Sequence, residues 1–97
     1  MTSRRILIVE DDVFVAGLLA QSLQIHGFVT IHAQSALEAK DLLSEFEPDV
    51  TLIDIELGDG PSGAELMALI VRAHPETAVL MMTQHESFAG GLALPDG

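Results

Sequence analysis

The chain has 97 residues, with 15 acidic side chains against 4 Lys and Arg, no cysteine and a formal net charge of -11. This length supports a single domain, and a hydrophobic fraction of 48% is too high for a disordered segment. The acidic excess argues against direct binding to nucleic-acid phosphates, and the lack of cysteine excludes a disulfide framework and a thiolate metal site. No apolar run reaches the roughly 18 residues of a membrane span, and no signal peptide is recognisable, so we expect a cytoplasmic protein.

Seven elements are predicted in chain order from the hydrophobic pattern. They are a strand at 6–9, a helix at 13–26, a strand at 28–31, a helix at 36–46, a strand at 50–54, a helix around 66–73 and a strand at 78–82. The strands at 6–9, 50–54 and 78–82 are apolar at all or most positions, which is typical of strands buried on both faces. The second strand alternates more loosely, as an edge strand does.

The ends of the predicted helices carry recognisable signals. Asp12 and Ser35 stand where helix N-caps are expected, and Gly27 and Pro75 stand where helices end. Strands that alternate with helices favour parallel βαβ crossovers, so the predicted fold is α/β with a doubly wound parallel sheet. Residues 84–97 contain two adjacent glycines and a proline, which leaves a fourth helix open.

Carboxylates follow two of the predicted central strands. Glu10 and Asp11 leave the first strand, Asp54 ends the third, and Thr83 follows the fourth. Because parallel strands end at a shared edge of the sheet, these side chains are expected to converge there. Clustered carboxylates repel one another unless a cation compensates, and Mg²⁺ prefers oxygen ligands. The sequence therefore predicts a divalent cation site, commonly Mg²⁺, at this edge.

Each of these acids also has a purely structural interpretation. Asp12 is best explained as a helix cap, and Asp11 and Asp54 could in principle serve as a cap and a turn residue. Capping does not require acids at the ends of both central strands, however. We therefore favour the cation site for Asp11 and Asp54 and the cap for Asp12.

Four short motifs stand at residues 6–12, 50–54, 58–63 and 79–83. In their order and spacing, over about the first 83 residues, the chain resembles the receiver domain of bacterial two-component response regulators. The resemblance implies a flavodoxin-like sheet with strand order 2-1-3-4 and a fifth βα unit that this chain lacks. We therefore expect one receiver-like domain over residues 1–97 that is incomplete at its C-terminus.

The same resemblance implies roles for five residues. Asp54 is expected to accept a phosphoryl group from a sensor histidine kinase or a phosphotransfer protein and thereby to switch an output domain or target. Asp11 would bind Mg²⁺ directly, Glu10 would act through water, and Asp54 would be the third carboxylate of the metal site. Glu56 would offer its backbone carbonyl to the metal, and Thr83 would hydrogen-bond the phosphoryl group as the switch residue. The chain would then be a phosphoacceptor and not an enzyme.

This sequence departs from the receiver family in one important respect. The family carries a lysine at the end of its fifth strand, whereas the sole lysine here is Lys40, in the second predicted helix. Without the fifth unit, the strand at 78–82 would lie at an exposed sheet edge, so we expect a homodimer or another form of self-association through it. The alternative function is a receiver-derived dimerisation or interaction module that is not phosphorylated.

Three other patterns have competing explanations. Residues 58–63 match G-x-G-x-x-G, but Asp59 would repel a pyrophosphate, Pro61 lacks a backbone N–H, and the motif follows the third strand instead of the first. The D-x-D pattern that begins at Asp54 is similar to that of haloacid-dehalogenase-like phosphatases, whose other segments are not found here. The four histidines show no paired spacing, and we predict surface or turn positions for His26, His32 and His74. His85, two residues after Thr83, is the one histidine expected near the predicted cation site.

Overall fold

The computed structural model describes residues 4–58 and 60–82, which form a four-stranded parallel sheet and three helices. The elements are β1 (Arg5–Val9), α1 (Val13–Ile25), β2 (Val29–Ala33), α2 (Ala36–Phe46), β3 (Val50–Asp54), α3 (Gly63–Ala73) and β4 (Ala78–Met82). The strand order is β2-β1-β3-β4, and all three strand pairs are parallel. The predicted α/β fold, with a doubly wound parallel sheet in the order 2-1-3-4, is confirmed.

Helices cover both faces of the sheet. One face packs against α2 and α3 in a cluster made of Leu7, Val9, Ala33, Ala36, Ala39, Leu43, Ile53, Leu66 and Ile70. The other face packs against α1 in a smaller cluster made of Ile6, Ile8 and Ala16. Successive residues of β1 alternate between the two clusters because side chains along a strand point to opposite faces. The first strand is therefore buried on both sides, as its apolar sequence predicts.

The second strand differs from its prediction. It was expected at 28–31 and is observed at Val29–Ala33, paired residue by residue with β1 from Arg5↔Val29 to Val9↔Ala33. Strand pairing continues two residues past the apolar pattern because β1 supplies backbone partners there, and the Glu10 N–H still donates to the Ala33 carbonyl at 3.0 Å. His32 consequently lies inside a strand and is half-buried, so the prediction of a surface or turn position for it is wrong.

The predicted caps of the first two helices are present, and the third helix begins earlier than expected. The Asp12 carboxylate accepts from the N–H groups of Phe14 and Val15 at 2.9 and 3.2 Å. Gly27 follows α1 with a φ of 91°, a conformation that glycine adopts without steric cost. Ser62 starts α3 through a reciprocal capping box with Glu65.

Two sequence predictions lie outside the described residues. Thr83 and the segment 84–97, with its open question of a fourth helix, are not among them. The expectation of a missing fifth βα unit stays a prediction for the same reason. Within the part of the chain that is described, no helix has the length and apolar character needed to cross a membrane.

Candidate functional site

Glu10, at the carboxyl end of β1, is buried and hydrogen-bonded through both its backbone and its side chain. Its side chain is 1% exposed, and its carboxylate Oε2 accepts from the Asp12 N–H at 3.1 Å. Its backbone N–H donates to the Ala33 carbonyl at 3.0 Å, and its carbonyl accepts from His32 Nε2 at 2.6 Å. Glu10 is therefore held by hydrogen bonds at its amide, its carbonyl and its side chain.

The carboxyl end of β3 places Asp54 beside Glu10. Asp54 is fully buried, and its Oδ1 accepts from the Glu56 N–H at 3.0 Å, which fixes the orientation of the carboxylate. The strands β1 and β3 are neighbours in the sheet, with Val9 opposite Ile53, so the residues that follow Val9 and Ile53 lie at the same height along the sheet. This register brings the Glu10 and Asp54 side chains together.

Asp11 completes an acidic cluster, which we define as Glu10, Asp11 and Asp54. Carboxylate oxygens from the three residues all lie within 4.8 Å of one another. Asp11 is exposed, whereas Glu10 and Asp54 are buried, so Asp11 is the solvent-exposed member of the cluster. The structure thus brings together the three carboxylates that the sequence analysis singled out.

Two glycines border the acidic cluster closely. A Cβ added at Gly58 would lie 3.1 Å from the Asp11 Oδ2. A Cβ added at Gly63, the first residue of α3, would overlap the carbonyl oxygen of Asp54. These glycines let the β3–α3 connection pass against the two acids, a role that the G-x-G-x-x-G interpretation of the motif did not consider.

The other predicted site residues have simpler outcomes. The Glu56 side chain is exposed, and its backbone N–H bonds Asp54 as described; its carbonyl as a metal ligand stays a prediction. Thr83 and His85 lie outside the described residues. Lys40 is an exposed residue of α2. Sequence reasoning missed His32, because the polar edge strand gave no signal that it extends to this residue.

The electrostatics of the acidic cluster are dominated by burial. The pKa of Glu10 is raised from 4.5 to about 7, chiefly by burial; the hydrogen bond from the Asp12 N–H lowers it, and the neighbouring Asp54 charge raises it. An ionised Glu10 beside a buried Asp54 is therefore unfavourable without a compensating positive charge. A bound cation would supply that charge.

We expect Glu10 to destabilise the metal-free chain as pH rises from about 4.5 to about 7. Folded Glu10 keeps its proton up to about pH 7, whereas the unfolded chain releases it near 4.5, so the native state binds more protons in this window. One pKa unit corresponds to about 1.4 kcal/mol, which sets an upper limit of about 3 kcal/mol. Glu10→Gln should therefore stabilise the metal-free chain more at high pH than at low pH.

Urea unfolding followed by circular dichroism, at about pH 5 and about pH 8 with a chelator present, measures this difference. Glu45→Gln, a change at an exposed position of α2, is the matched control and should shift stability equally at both pH values. An equal effect of Glu10→Gln at both pH values would contradict the expectation.

The donor set of the acidic cluster fits a hard divalent cation. Three carboxylates within 4.8 Å of one another offer the oxygen ligands that Mg²⁺ takes, and solvent access beside Asp11 leaves room for its waters. A softer metal would call for sulfur or imidazole ligands, and neither is among the residues of the cluster. The residues present therefore fit Mg²⁺ better than zinc or copper.

Comparisons with a family model and with curated proteins point to the same family. A family model described as the response regulator receiver domain matches residues 6–92. The response regulator protein PilR of Pseudomonas aeruginosa is 36% identical over 87 residues, covering 90% of this chain and 19% of PilR. The nitrogen assimilation regulatory protein NtrX of Azorhizobium caulinodans is 35% identical over 92 residues, covering 91% of this chain and 20% of NtrX.

A solved structure agrees with these sequence matches. The response regulator protein TrrA of Thermotoga maritima, in complex with Mg²⁺-BeF, has a TM-score of 0.79 at 27% identity, over 92% of this chain and 76% of TrrA. The chain spans about a fifth of the length of the two curated relatives PilR and NtrX. The similarity therefore concerns one domain of those longer proteins.

Proposed function

The chain belongs to the response regulator receiver domain family, and from this premise we propose that it accepts a phosphoryl group on Asp54, with Mg²⁺ bound at the acidic cluster, and thereby switches an output. The observation that carries the proposal is the meeting of the Glu10, Asp11 and Asp54 carboxylates at the ends of β1 and β3. The similar TrrA was solved in complex with Mg²⁺-BeF, which is consistent with a site of this kind.

Asp54 is the proposed nucleophile because its carboxylate is buried, oriented and next to the cation ligands. The Glu56 N–H donates to Oδ1 at 3.0 Å and so helps to hold the carboxylate in one orientation for attack on a phosphorus atom. In the proposed transfer, an Asp54 oxygen forms a P–O bond while the P–N bond of a phosphohistidine breaks, and the bond electrons leave with the imidazole. Bound Mg²⁺ would offset the negative charge that gathers among the acids and the phosphoryl oxygens.

An exposed apolar stripe on α1 supports a protein as the phosphoryl donor. The stripe is Phe14, Leu18 and Ile25, with exposures of 74%, 55% and 78%. Their spacing of four and seven residues places them along one side of the helix. The stripe starts at Phe14, three residues after Asp11 of the acidic cluster. Such a surface suits docking of a helix from a histidine kinase or phosphotransfer protein.

The remaining parts of the proposal follow from the family and the composition. The partner on the output side would be a further domain or a separate target protein, and the location would be cytoplasmic. We propose a phosphoacceptor rather than an enzyme that turns over a small molecule. With 15 acidic residues against 4 Lys and Arg, we propose no direct contact with nucleic acid or a membrane surface.

Incubation with acetyl phosphate tests this function directly. In the presence of Mg²⁺ a slower-migrating species should appear on a phosphate-affinity gel, and an excess of chelator should prevent it. A chain that stays unmodified with Mg²⁺, or is modified equally with chelator, would contradict the proposal. The first of these results would favour the alternative, an interaction module that is not phosphorylated.

Self-association through β4 is a further part of the proposal. Among the described strands β4 lies at the edge of the sheet, and Leu80 is 56% exposed there. An exposed apolar edge strand favours pairing with a second copy of the chain. Sedimentation equilibrium should show a dimer for the wild type and a monomer for Leu80→Glu. Val71→Glu, at a 62% exposed site on α3, is the control that should leave the dimer intact. A wild-type monomer would refute this part.

A further inference from the structure

We propose that His32 is a positioning residue for the cation site, because its imidazole fixes the peptide that joins Glu10 to Asp11. This inference rests on the proposed function, since it concerns the same acidic cluster. His32 itself contacts neither the proposed cation nor the phosphoryl group in the proposal. It acts on them only through the backbone of Glu10.

The contact between His32 and Glu10 is short and defined. His32 Nε2 lies 2.6 Å from the carbonyl oxygen of Glu10, across a sequence separation of 22 residues. A carbonyl oxygen can only accept a hydrogen bond, so Nε2 must carry the proton and donate it. The bond therefore fixes the position of the imidazole relative to the Glu10–Asp11 peptide and requires a proton on Nε2.

The Glu10 carbonyl is the point at which the chain leaves the sheet. The Glu10 N–H is still bound to Ala33 in the β1–β2 ladder, but its carbonyl has left the ladder and meets the His32 side chain. Asp11, the next residue, is exposed. The direction in which Asp11 leaves therefore depends on the orientation of the Glu10–Asp11 peptide plane, which His32 holds.

If His32 had a purely structural role, its replacement would lower stability and leave Mg²⁺ affinity unchanged. Five residue pairs already join β1 to β2, from Arg5↔Val29 to Val9↔Ala33, so strand pairing does not depend on this side chain. Loss of the His32 bond should therefore cost little stability but allow the peptide to rotate. Residues that orient metal ligands typically change metal affinity by about 10- to 100-fold when they are lost. His32 bonds the backbone next to a ligand instead of the ligand side chain itself, so the effect of its loss should lie at or just below the lower end of that range.

Three variants separate the hydrogen bond from the bulk of the side chain. Glutamine carries an N–H donor the same number of bonds from Cα as His32 Nε2, so His32→Gln can replace the contact. Asparagine carries its amide one bond closer to the backbone, so His32→Asn keeps an amide but cannot reach the Glu10 carbonyl. His32→Leu removes the donor altogether and keeps an apolar volume on β2.

Isothermal titration calorimetry of the 97-residue chain with Mg²⁺ measures the affinity, and urea unfolding in the presence of a chelator measures the stability. Together they test the inference. We expect the Mg²⁺ dissociation constant to rise about 5- to 10-fold in His32→Asn and His32→Leu, and to stay within about 2-fold of wild type in His32→Gln. Equal Mg²⁺ affinity in all four proteins, or Gln no better than Asn, would overturn the inference. Lower stability with unchanged affinity would also overturn it, since that is the structural result. A wild type that binds no Mg²⁺ would instead refute the proposed function, and this inference with it.

Discussion

Replacing Gly63 with alanine is expected to lower the free energy of unfolding by about 2 to 4 kcal/mol. The added Cβ would overlap the carbonyl oxygen of Asp54 and lie 3.1 Å from both Ile53 Cγ2 and Ile55 Cα. Two of these three atoms, the Asp54 oxygen and Ile55 Cα, belong to the backbone, so movement of a side chain cannot relieve the contact. Either α3 must shift away from the sheet or the end of β3 must move, and the second response displaces Asp54.

Gly17→Ala is the matched control for the Gly63 variant. Gly17 also lies in a helix, α1, but a Cβ added there meets nothing within 4 Å. Alanine is favoured over glycine inside a helix, so Gly17→Ala should raise stability by about 0.5 to 1 kcal/mol. Urea unfolding followed by circular dichroism measures both changes. A shift of stability in the same direction in both variants would contradict the close approach of α3 to the end of β3.

Replacing Asp54 with asparagine is expected to reduce phosphorylation by acetyl phosphate more than about 100-fold. Asparagine keeps the shape of the side chain and can fill the same buried space, but its amide is a poor nucleophile. The change also removes one buried charge next to Glu10, so the variant should fold at least as well as the wild type. Loss of modification would then be a chemical effect rather than a consequence of unfolding.

Asp11→Asn distinguishes a cation ligand from the nucleophile in the same assay. This variant keeps Asp54 but loses one carboxylate of the acidic cluster, so it should bind Mg²⁺ more weakly. Raising the Mg²⁺ concentration should therefore restore phosphorylation in Asp11→Asn and not in Asp54→Asn. Recovery of Asp54→Asn at high Mg²⁺ would show that another residue accepts the phosphoryl group.

The parts of the fold that follow from apolar runs were predicted well from the sequence. The predicted bounds of α2, β3 and β4 agree with those observed, and β1 begins one residue earlier than predicted, at Arg5. Strands buried on both faces, such as β1, carry apolar side chains at successive positions and are clearly marked in the sequence. The sequence of β4 is equally apolar, yet Ala78 and Leu80 are exposed, so an apolar run marks the strand without showing that both of its faces are covered. The meeting of Glu10, Asp11 and Asp54 then follows from the geometry of any parallel sheet with these strands next to each other.

The parts that depend on partners elsewhere in the chain could not be predicted from local pattern. The end of β2 is set by its pairing with β1, so its last two residues, His32 and Ala33, carry no strand signal of their own. In α1, Leu18 and Ile25 fit helical spacing but are exposed, because hydrophobic periodicity does not say which apolar residues face the sheet. The early start of α3 was readable from the Ser62 and Glu65 capping box, a signal the sequence analysis did not use.

Identification of the phosphorylated residue tests the central claim most directly. Borohydride reduces an aspartyl phosphate to homoserine with release of phosphate, so peptide mass spectrometry after treatment with acetyl phosphate locates the acceptor. The proposal predicts homoserine at position 54, formed only when Mg²⁺ was present during phosphorylation. Homoserine at Asp11 or Asp12, or no homoserine at any position, would contradict the assignment of Asp54 as the acceptor.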